Sequence, residues 1–378
     1  MMKEEISTIV HVDKPRAVKD PEYARSLGKT PSFCVYDERF IGDVVGSDPK
    51  IQLVEERRGK GEQFAHEAGV YIRETNSVYF TSNFQTCDPI DLYAINCDTH
   101  ETEKLDYPDV VQANGACSYP GKTASTHSSG AGNGGEEPDR LLYCSQGDQS
   151  TPSALVLVNP VTRESEILLN NFYGREFSSV NDVVIHHGTG DVWFTDPTYG
   201  YEQGFRPEPV LPAQVYRFRP STKDCYVLAD GFDMCNGLCF NPDYTLLYVT
   251  DTGAVKARSH SGNGRKFQAN YRNAGTIYVY DVIDGGTRIA NRRTFAFCDS
   301  GVPDGIKCDE NGYVYSGCGD GVHVWAPDGT LVGKIIVGCT TANFCFVKGG
   351  IWMFSEKDLY FCKIQAKGAL VKLECEER

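Results

Sequence analysis

Six copies of one short strand motif recur along the chain, and each copy is followed by a second strand-like segment. The motif consists of two or three apolar residues followed by a small or polar pair. In the second segment apolar and polar residues alternate, which is the pattern of a β-strand. The motif copies are VYFTSN at 78–83, LLYCSQ at 141–146, VWFTDP at 192–197, LYVTDT at 247–252, VYSGCG at 314–319 and IWMFSE at 351–356, and the second segments begin at 91, 154, 214, 276, 321 and 358.

Six similar units of short strands are typical of radial repetition. The repeat therefore predicts an all-β protein, a six-bladed β-propeller. A β-sandwich with coincidentally similar strands is the alternative, and the order preserved six times disfavours it. We predict an N-terminal extension over 1–34, contributing a closing strand or a lid, and one propeller domain over 35–378. Two stretches of loop composition interrupt the spacing, at 122–139 and 253–275.

The composition limits the kinds of molecule that this protein is expected to bind. The net charge of −14 argues against nucleic acid, which needs clusters of Lys and Arg. The sequence shows neither an apolar run long enough for a bilayer nor a signal peptide, so we expect no membrane partner. Most of the fifteen cysteines lie in apolar runs, and we expect reduced thiols in a cytoplasmic protein. There is no Cys-x-x-Cys pair, so we expect no cysteine zinc site. The expected partner is a small-molecule substrate, and the sequence does not indicate the oligomeric state.

An oxygen-bearing side chain stands just ahead of each motif strand, with one apolar strand between. In a propeller that intervening strand lines the central channel, so these residues converge on the axis. Carboxylate and amide oxygens are the ligands of a hard cation such as Ca²⁺. The residues in this position are Glu67, Asn114, Asn181, Asn236, Asp304 and Asn343.

We predict that Glu67, Asn181, Asn236 and Asp304 are the metal ligands, and that Asn114 serves the metal or the substrate. The alternative is that Asn-Gly, Asn-Asp and Asp-Gly are merely turn dipeptides. Recurrence in successive blades favours the metal, because Glu67 is no turn former and clustered acids repel one another without a cation.

Long runs of the chain resemble the SMP-30/gluconolactonase/lactonohydrolase family of calcium-dependent six-bladed propellers, with the closest likeness to the fungal lactonohydrolases. The likeness covers roughly residues 35–365. It implies the same four metal ligands and places Asn114 at a substrate-side position. Departures near the pocket, in HEAGVY at 66–71, in the CNG and ANGAC segments and in the insertion at 122–139, leave the substrate open. The matching runs are NNFYGREFSSVNDV at 170–183, GDVWFTDPTYGYEQGFRPEP at 190–209, NGLCFNPD at 236–243, LYVTDTG at 247–253 and PDGIKCDENGYVYSGCGDGVHVWAPDG at 303–329.

The resemblance implies a lactonase-type carboxylic ester hydrolase that uses Ca²⁺, with Mg²⁺, Mn²⁺ and Zn²⁺ as alternatives. The cation would stabilise the oxyanion as water attacks a lactone carbonyl. Asp304 is the first candidate for the general base and His66 the second. Tyr199, Tyr201 and Arg206 either form a substrate rim or pack their loop. His323 is expected to be structural, and His186 and His187 to lie on the surface.

Two other functions stay open. One is a non-hydrolytic cyclase of fungal secondary metabolism, resembling the hetero-Diels–Alderases, on the same scaffold. The other is a binding propeller with a structural ion, which the concentration of polar residues at the axis disfavours. Retention of all four ligands favours the hydrolase, because a pericyclic reaction has no evident need of them.

Overall fold

The structure, a computed structural model, describes residues 5–13, 29–121, 139–258 and 266–370. Most of the predicted insertion at 122–139 and part of that at 253–275 lie outside these ranges. Most of the described strands form six sheets of four or more strands around a central channel, and each of these sheets contains one copy of the repeated strand pair. The predicted six-bladed β-propeller is confirmed.

Each blade contains four strands that run antiparallel to their neighbours, and the two segments recognised in the sequence are its second and third strands. From the channel outward, blade 1 contains Glu67–Ile72, Ser77–Thr81, Leu92–Asn96 and Thr102–Leu105; blade 2 contains Ala113–Tyr119, Arg140–Ser145, Ala154–Val158 and Ser165–Leu169; blade 3 contains Val183–His186, Asp191–Asp196, Gln214–Arg219 and Asp224–Ala229; blade 4 contains Cys235–Phe240, Leu246–Asp251, Thr276–Ile283 and Arg288–Phe297; blade 5 contains Ile306–Cys308, Val314–Cys318, Gly321–Trp325 and Leu331–Ile336; and blade 6 contains Asn343–Val347, Gly350–Ser355, Asp358–Lys363 and Lys50–Glu56.

The ring is closed by a strand from the N-terminal part of the chain. Lys50–Glu56 forms the outermost strand of blade 6 and pairs antiparallel with Asp358–Lys363. Glu5–Ile6 pairs with its outer edge. In blade 5, Ser32–Val35 pairs antiparallel with the fourth strand, and Ile9–His11 runs parallel beside it. The closing strand thus lies after the predicted extension over 1–34, whose boundary stays a prediction.

Few other elements are present in the described ranges. Two short hairpins pair Asn171–Phe172 with Arg175–Glu176 and Val255–Arg258 with Lys266–Ala269. The helical segments are Phe40–Val45, Arg58–Lys60 and Tyr199–Gln203. None of the helices in the described part of the chain is long and apolar enough to span a bilayer.

The apolar core lies between the blades. Buried apolar residues form six clusters, and each cluster is shared by two neighbouring blades. At the junction of blades 3 and 4, for example, the fully buried Trp193 meets Phe240 edge to face, with ring centroids 5.2 Å apart. Such an aromatic pair contributes about 0.5–1.5 kcal/mol beyond the burial of its area. This packing fixes each innermost strand relative to the next.

Candidate metal centre and active site

The six oxygen-bearing residues predicted to converge do lie at one end of the central channel, and we call them the axial ring (Glu67, Asn114, Asn181, Asn236, Asp304 and Asn343). Each stands at the start of an innermost strand or within two residues of it. The later residues of all six innermost strands line one cavity of about 340 Å³ inside the channel. The ring therefore covers one end of this cavity.

Glycines let neighbouring ring residues approach each other. A Cβ on Gly115 would lie 2.6 Å from the carbonyl oxygen of Asn181, and one on Gly237 would lie 2.6 Å from that of Asp304. The Gly115 amide also donates to the carbonyl oxygen of Asn181, at 2.7 Å. The glycines of these two Asn-Gly pairs thus allow close contact between neighbouring blades. The alternative that the pairs are merely turn dipeptides does not account for this contact.

Blade 3 has Asp182 where these blades have glycine. Its carboxylate accepts hydrogen bonds from the amides of Leu238, at 3.1 Å, and Val183, at 2.9 Å. Burial raises the pKa of Asp182 to about 7, and the charge of Glu67 adds to the effect while Lys307 opposes it. Asp182 therefore joins the innermost strands of blades 3 and 4 and fixes the position of Asn181 beside it.

The Asp of the repeated Thr-Asp pair holds the loop that carries the ring residue of its own blade. The Asp196 carboxylate accepts the amides of residues 178–179, at 2.9 and 2.7 Å. In blade 4, Asp251 accepts the amides of residues 233–234, at 3.0 and 2.8 Å. In both blades the bonded amides lie two or three residues ahead of the ring Asn. The motif therefore positions the site as well as forming a strand.

Two ring residues have buried oxygens that are suited to binding a cation. Oδ1 of Asn181 and Oδ1 of Asp304 are both buried, and neither has a hydrogen-bond partner among the described residues. Burying an unpaired polar oxygen costs about 1–3 kcal/mol. Burial, together with the nearby carboxylate of Glu67, raises the pKa of Asp304 well above its usual range. Unpaired oxygens beside two mutually repelling carboxyl groups fit a hard divalent cation.

Asn236 is oriented by Tyr199, one of the residues predicted at the substrate rim. The Asn236 Nδ2 group donates to the Tyr199 hydroxyl at 3.2 Å, which leaves the amide oxygen for another ligand. Tyr199 opens the short helix Tyr199–Gln203, is buried, and also hydrogen-bonds the Thr252 hydroxyl. Burial and the charge of Asp304 raise the pKa of Tyr199 well above its usual range, so the phenol keeps its proton.

The other two ring asparagines make different contacts. Asn343 donates from Nδ2 to Oε2 of Glu67 at 2.9 Å and accepts the Phe344 amide at 2.8 Å. Both ends of its amide are engaged, so Asn343 orients Glu67, a role that the sequence did not reveal. Asn114 is half-buried, and its Oδ1 accepts the amide of Gly115 at 3.0 Å. Its predicted part in binding metal or substrate stays a prediction.

His66 lies beside the ring in a polar cluster between blades 1 and 6. Its Nδ1 is 3.0 Å from Oε1 of Glu356 and 3.2 Å from Nδ2 of Asn83. Burial lowers the pKa of His66, but the adjacent Glu356 carboxylate more than offsets this, and the pKa is raised to about 9. A histidine that holds its proton at neutral pH is a poor general base. The roles of Asp304 and His66 as candidates for the general base both stay predictions.

The remaining two rim residues differ in exposure. Tyr201 is 46% exposed. Arg206 is 4% exposed, and all five of its N–H groups donate to protein oxygens: those of Ser178, Asp148, Thr151, Glu176 and Phe177. These contacts favour loop packing for Arg206, and substrate binding by either residue stays a prediction.

One histidine was placed wrongly from the sequence. His186, expected on the surface, is 7% exposed and packs against Phe240 of blade 4, with ring centroids 5.1 Å apart. Its position at the end of an innermost strand turns it into the interface between blades. His187, the next residue, is exposed as expected.

Known proteins share both the sequence pattern and the fold. Lactonohydrolase oryL of Aspergillus oryzae (strain ATCC 42149 / RIB 40) is 31% identical over 326 residues, covering 83% of this chain and 69% of that protein. A gluconolactonase from Xanthomonas campestris superposes with a TM-score of 0.63 at 21% identity, over 85% of this chain and 91% of that one. Regucalcin, a calcium-binding protein from Agrobacterium tumefaciens strain C58, gives a TM-score of 0.57 at 14% identity, over 84% of this chain and 94% of that one.

The family assignment follows from the match along the chain. The model of the SMP-30/Gluconolactonase/LRE-like region matches residues 66–361, which include every member of the axial ring. The chain belongs to the SMP-30/gluconolactonase/LRE-like family.

Proposed function

We propose that this protein is a divalent-cation-dependent hydrolase that opens a small sugar-type or hydroxy-acid lactone. The observation that carries the proposal is the pair of buried, unpaired oxygens of Asn181 and Asp304 beside the carboxylate of Glu67. Relatives named lactonohydrolase and gluconolactonase support the reaction class. The name of regucalcin as a calcium-binding protein supports Ca²⁺ as the cation, and Mg²⁺, Mn²⁺ and Zn²⁺ are the alternatives.

Glu67, Asn181, Asn236 and Asp304 would hold the cation, which when bound polarises a carbonyl oxygen and lowers the pKa of a bound water. The side chains around the ring support this ligand set. Asn343 keeps Oε2 of Glu67 in place, and Tyr199 keeps the amide oxygen of Asn236 free by accepting its Nδ2 hydrogen. Such outer contacts typically change metal affinity about 10–100-fold when removed.

Asp304 is the proton acceptor in this proposal. Water oxygen bonds to the carbonyl carbon, the ring C–O bond breaks, and the water proton passes through Asp304 to the departing alkoxide. The bound cation would keep the Asp304 carboxylate ionised, so that it can take the water proton and pass it to the departing oxygen. The protonated His66 adds positive charge near the site where negative charge develops.

A pH-stat assay on a panel of γ- and δ-lactones tests the proposal. Wild type should release acid from at least one lactone, lose the activity on chelation and regain it with Ca²⁺. The matched variant Asp304→Asn keeps an oxygen ligand but accepts no proton, so kcat should fall by roughly 10²-fold or more while the cation stays bound. Cation binding without opening of any lactone would contradict the hydrolase and favour the cyclase.

A further inference from the structure

We propose a second metal centre, a zinc site formed by the thiolates of Cys298 and Cys318 and the imidazole of His323. The three ligand atoms all lie within 4.8 Å of one another. The three side chains are 2%, 1% and 0% exposed, respectively, so all three are shielded from solvent. It lies at the junction of blades 4 and 5 and shares no residue with the axial ring.

The fold assembles this cluster from three nearby segments of two neighbouring blades. Cys298 follows the outermost strand of blade 4, Cys318 ends the second strand of blade 5, and His323 lies in the third strand of that blade. The expectation of no zinc site rested on the absence of a Cys-x-x-Cys pair, a linear spacing that this arrangement does not use.

The spacing suits a tetrahedral ion. With Zn–S and Zn–N bonds of about 2.3 and 2.0 Å, the sulfur–nitrogen edge of a tetrahedron is about 3.5 Å and the sulfur–sulfur edge about 3.8 Å. Sγ of Cys298 lies 4.0 Å from Nδ1 of His323. A shift of a few tenths of an ångström would bring both atoms onto one ion.

The histidine is already oriented as a ligand. Nε2 of His323 lies 2.6 Å from Oδ1 of Asp320, so its N–H donates to that carboxylate and Nδ1 faces the two sulfurs. A carboxylate that accepts the other ring N–H is the usual outer contact of a zinc-bound histidine. It fixes the tautomer and makes the imidazole a stronger ligand.

Asp299 offers an oxygen for the fourth position. Its Oδ1 lies 3.5 Å from Nδ1 of His323, close to the nitrogen–oxygen edge of about 3.3 Å in a zinc tetrahedron. Nζ of Lys334 holds the same carboxylate at 2.7 and 2.8 Å and partly balances the negative charge of the ligands. Asp299, whose side chain is 62% exposed, would complete a four-coordinate site at the solvent-facing end of this cluster.

A second cysteine pair provides a matched control. Sγ of Cys239 and Sγ of Cys308 lie 3.7 Å apart, between the innermost strands of blades 4 and 5, and both side chains are buried. In the described part of the chain this pair belongs to no cluster of three potential ligands, so it should not bind the ion.

Cobalt substitution of the reduced, full-length protein tests the site. Co²⁺ bound by thiolates gives an intense charge-transfer band in the near ultraviolet, whereas the oxygen ligands of the axial ring give none. We expect one equivalent of Zn²⁺ that excess Ca²⁺ does not displace, and the band after exchange for Co²⁺. The band should disappear in Cys318→Ser and persist in the matched variant Cys308→Ser.

The wild-type spectrum needs no variant to fold, so it decides the matter directly. Absence of the band in the reduced wild type would overturn the proposal, as would its persistence in Cys318→Ser or a Cys298–Cys318 disulfide in the freshly purified protein. None of these results bears on lactone hydrolysis, which depends on a different set of residues.

Discussion

Thr195 and Thr250 occupy the same position in two successive blades and bond to the ring residue of the following blade. The Thr195 hydroxyl donates to the carbonyl oxygen of Asn236 at 2.7 Å, and that of Thr250 donates to the carbonyl oxygen of Asp304 at 2.9 Å. In blade 1 the hydroxyl of Thr81, in the equivalent place, is buried and has no partner among the described residues. The same residue type therefore supports the site in two blades and only fills space in the third.

This contrast gives a matched test. Thr195→Val and Thr250→Val should each lower the free energy of unfolding by about 1–3 kcal/mol, because a buried carbonyl oxygen loses its donor. Thr81→Val removes a hydroxyl that has no partner and should be neutral or stabilising. Chemical denaturation of the three variants measures the difference, and equal losses in all three would contradict these roles.

Local sequence was sufficient to place the ring residues but not to assign all their contacts. Glu67, Asn181 and Asp304 could be found because each stands at a repeated position ahead of a strand. The role of Asn343 could not, because its amide is engaged by Glu67, which is 276 residues away in the chain. The Thr-Asp pairs were visible as a repeat, but only the fold shows which amides and carbonyls they bond.

At the scale of the strands, the ends of innermost strands contribute to the packing between blades. His186 ends the innermost strand of blade 3 and lies against Trp193 of its own blade and Phe240 of the next. Its Nδ1 is buried without a partner among the described residues. Burial lowers the pKa of His186, because the charged imidazolium would lose its hydration.

This lowered pKa makes stability depend on pH. Below about pH 6.5 the unfolded chain binds a proton at His186 that the folded protein binds only at lower pH. Stability should therefore fall as the pH falls from 7 to 5, and His186→Phe should reduce that loss. Urea denaturation from pH 5 to 8 measures the free energy of unfolding of wild type and His186→Phe. The difference between the two proteins at pH 8 gives the effect of altered packing, which is subtracted at the lower pH values. Parallel pH profiles would contradict the assignment.

At the scale of the whole molecule, the propeller depends on one closing strand. The six blades were predictable because each copy of the motif is a local signal in the sequence. The closing strand Lys50–Glu56 was not, because its partner Asp358–Lys363 lies at the other end of the domain. The sequence of Lys50–Glu56 contains no local signal that it pairs with a strand more than 300 residues later.

Truncation tests this closure. A chain that begins at residue 29 loses Glu5–Ile6 and Ile9–His11, which lie at outer edges, and should still unfold in one cooperative transition. A chain that begins at residue 47 also loses Ser32–Val35 and Phe40–Val45 but keeps the closing strand, whereas one that begins at residue 58 loses that strand as well. Only the last leaves the edge of Asp358–Lys363 unpaired, so it should aggregate or unfold without cooperativity where the chain from residue 47 does not. Thermal unfolding with light scattering compares the chains that begin at residues 47 and 58, and equal behaviour of these two would contradict closure by Lys50–Glu56.

The claim that joins these scales is that the axial ring holds a cation required for opening a lactone. Its most direct test is the rate of lactone hydrolysis as a function of free Ca²⁺ in wild type and Asn181→Ala. The wild-type rate should rise to saturation, and the variant should need roughly 10-fold or more free Ca²⁺ for half its maximal rate, as expected for loss of about 1.4 kcal/mol of ligand binding. Hydrolysis at the same chelator-insensitive rate in both proteins would contradict the claim.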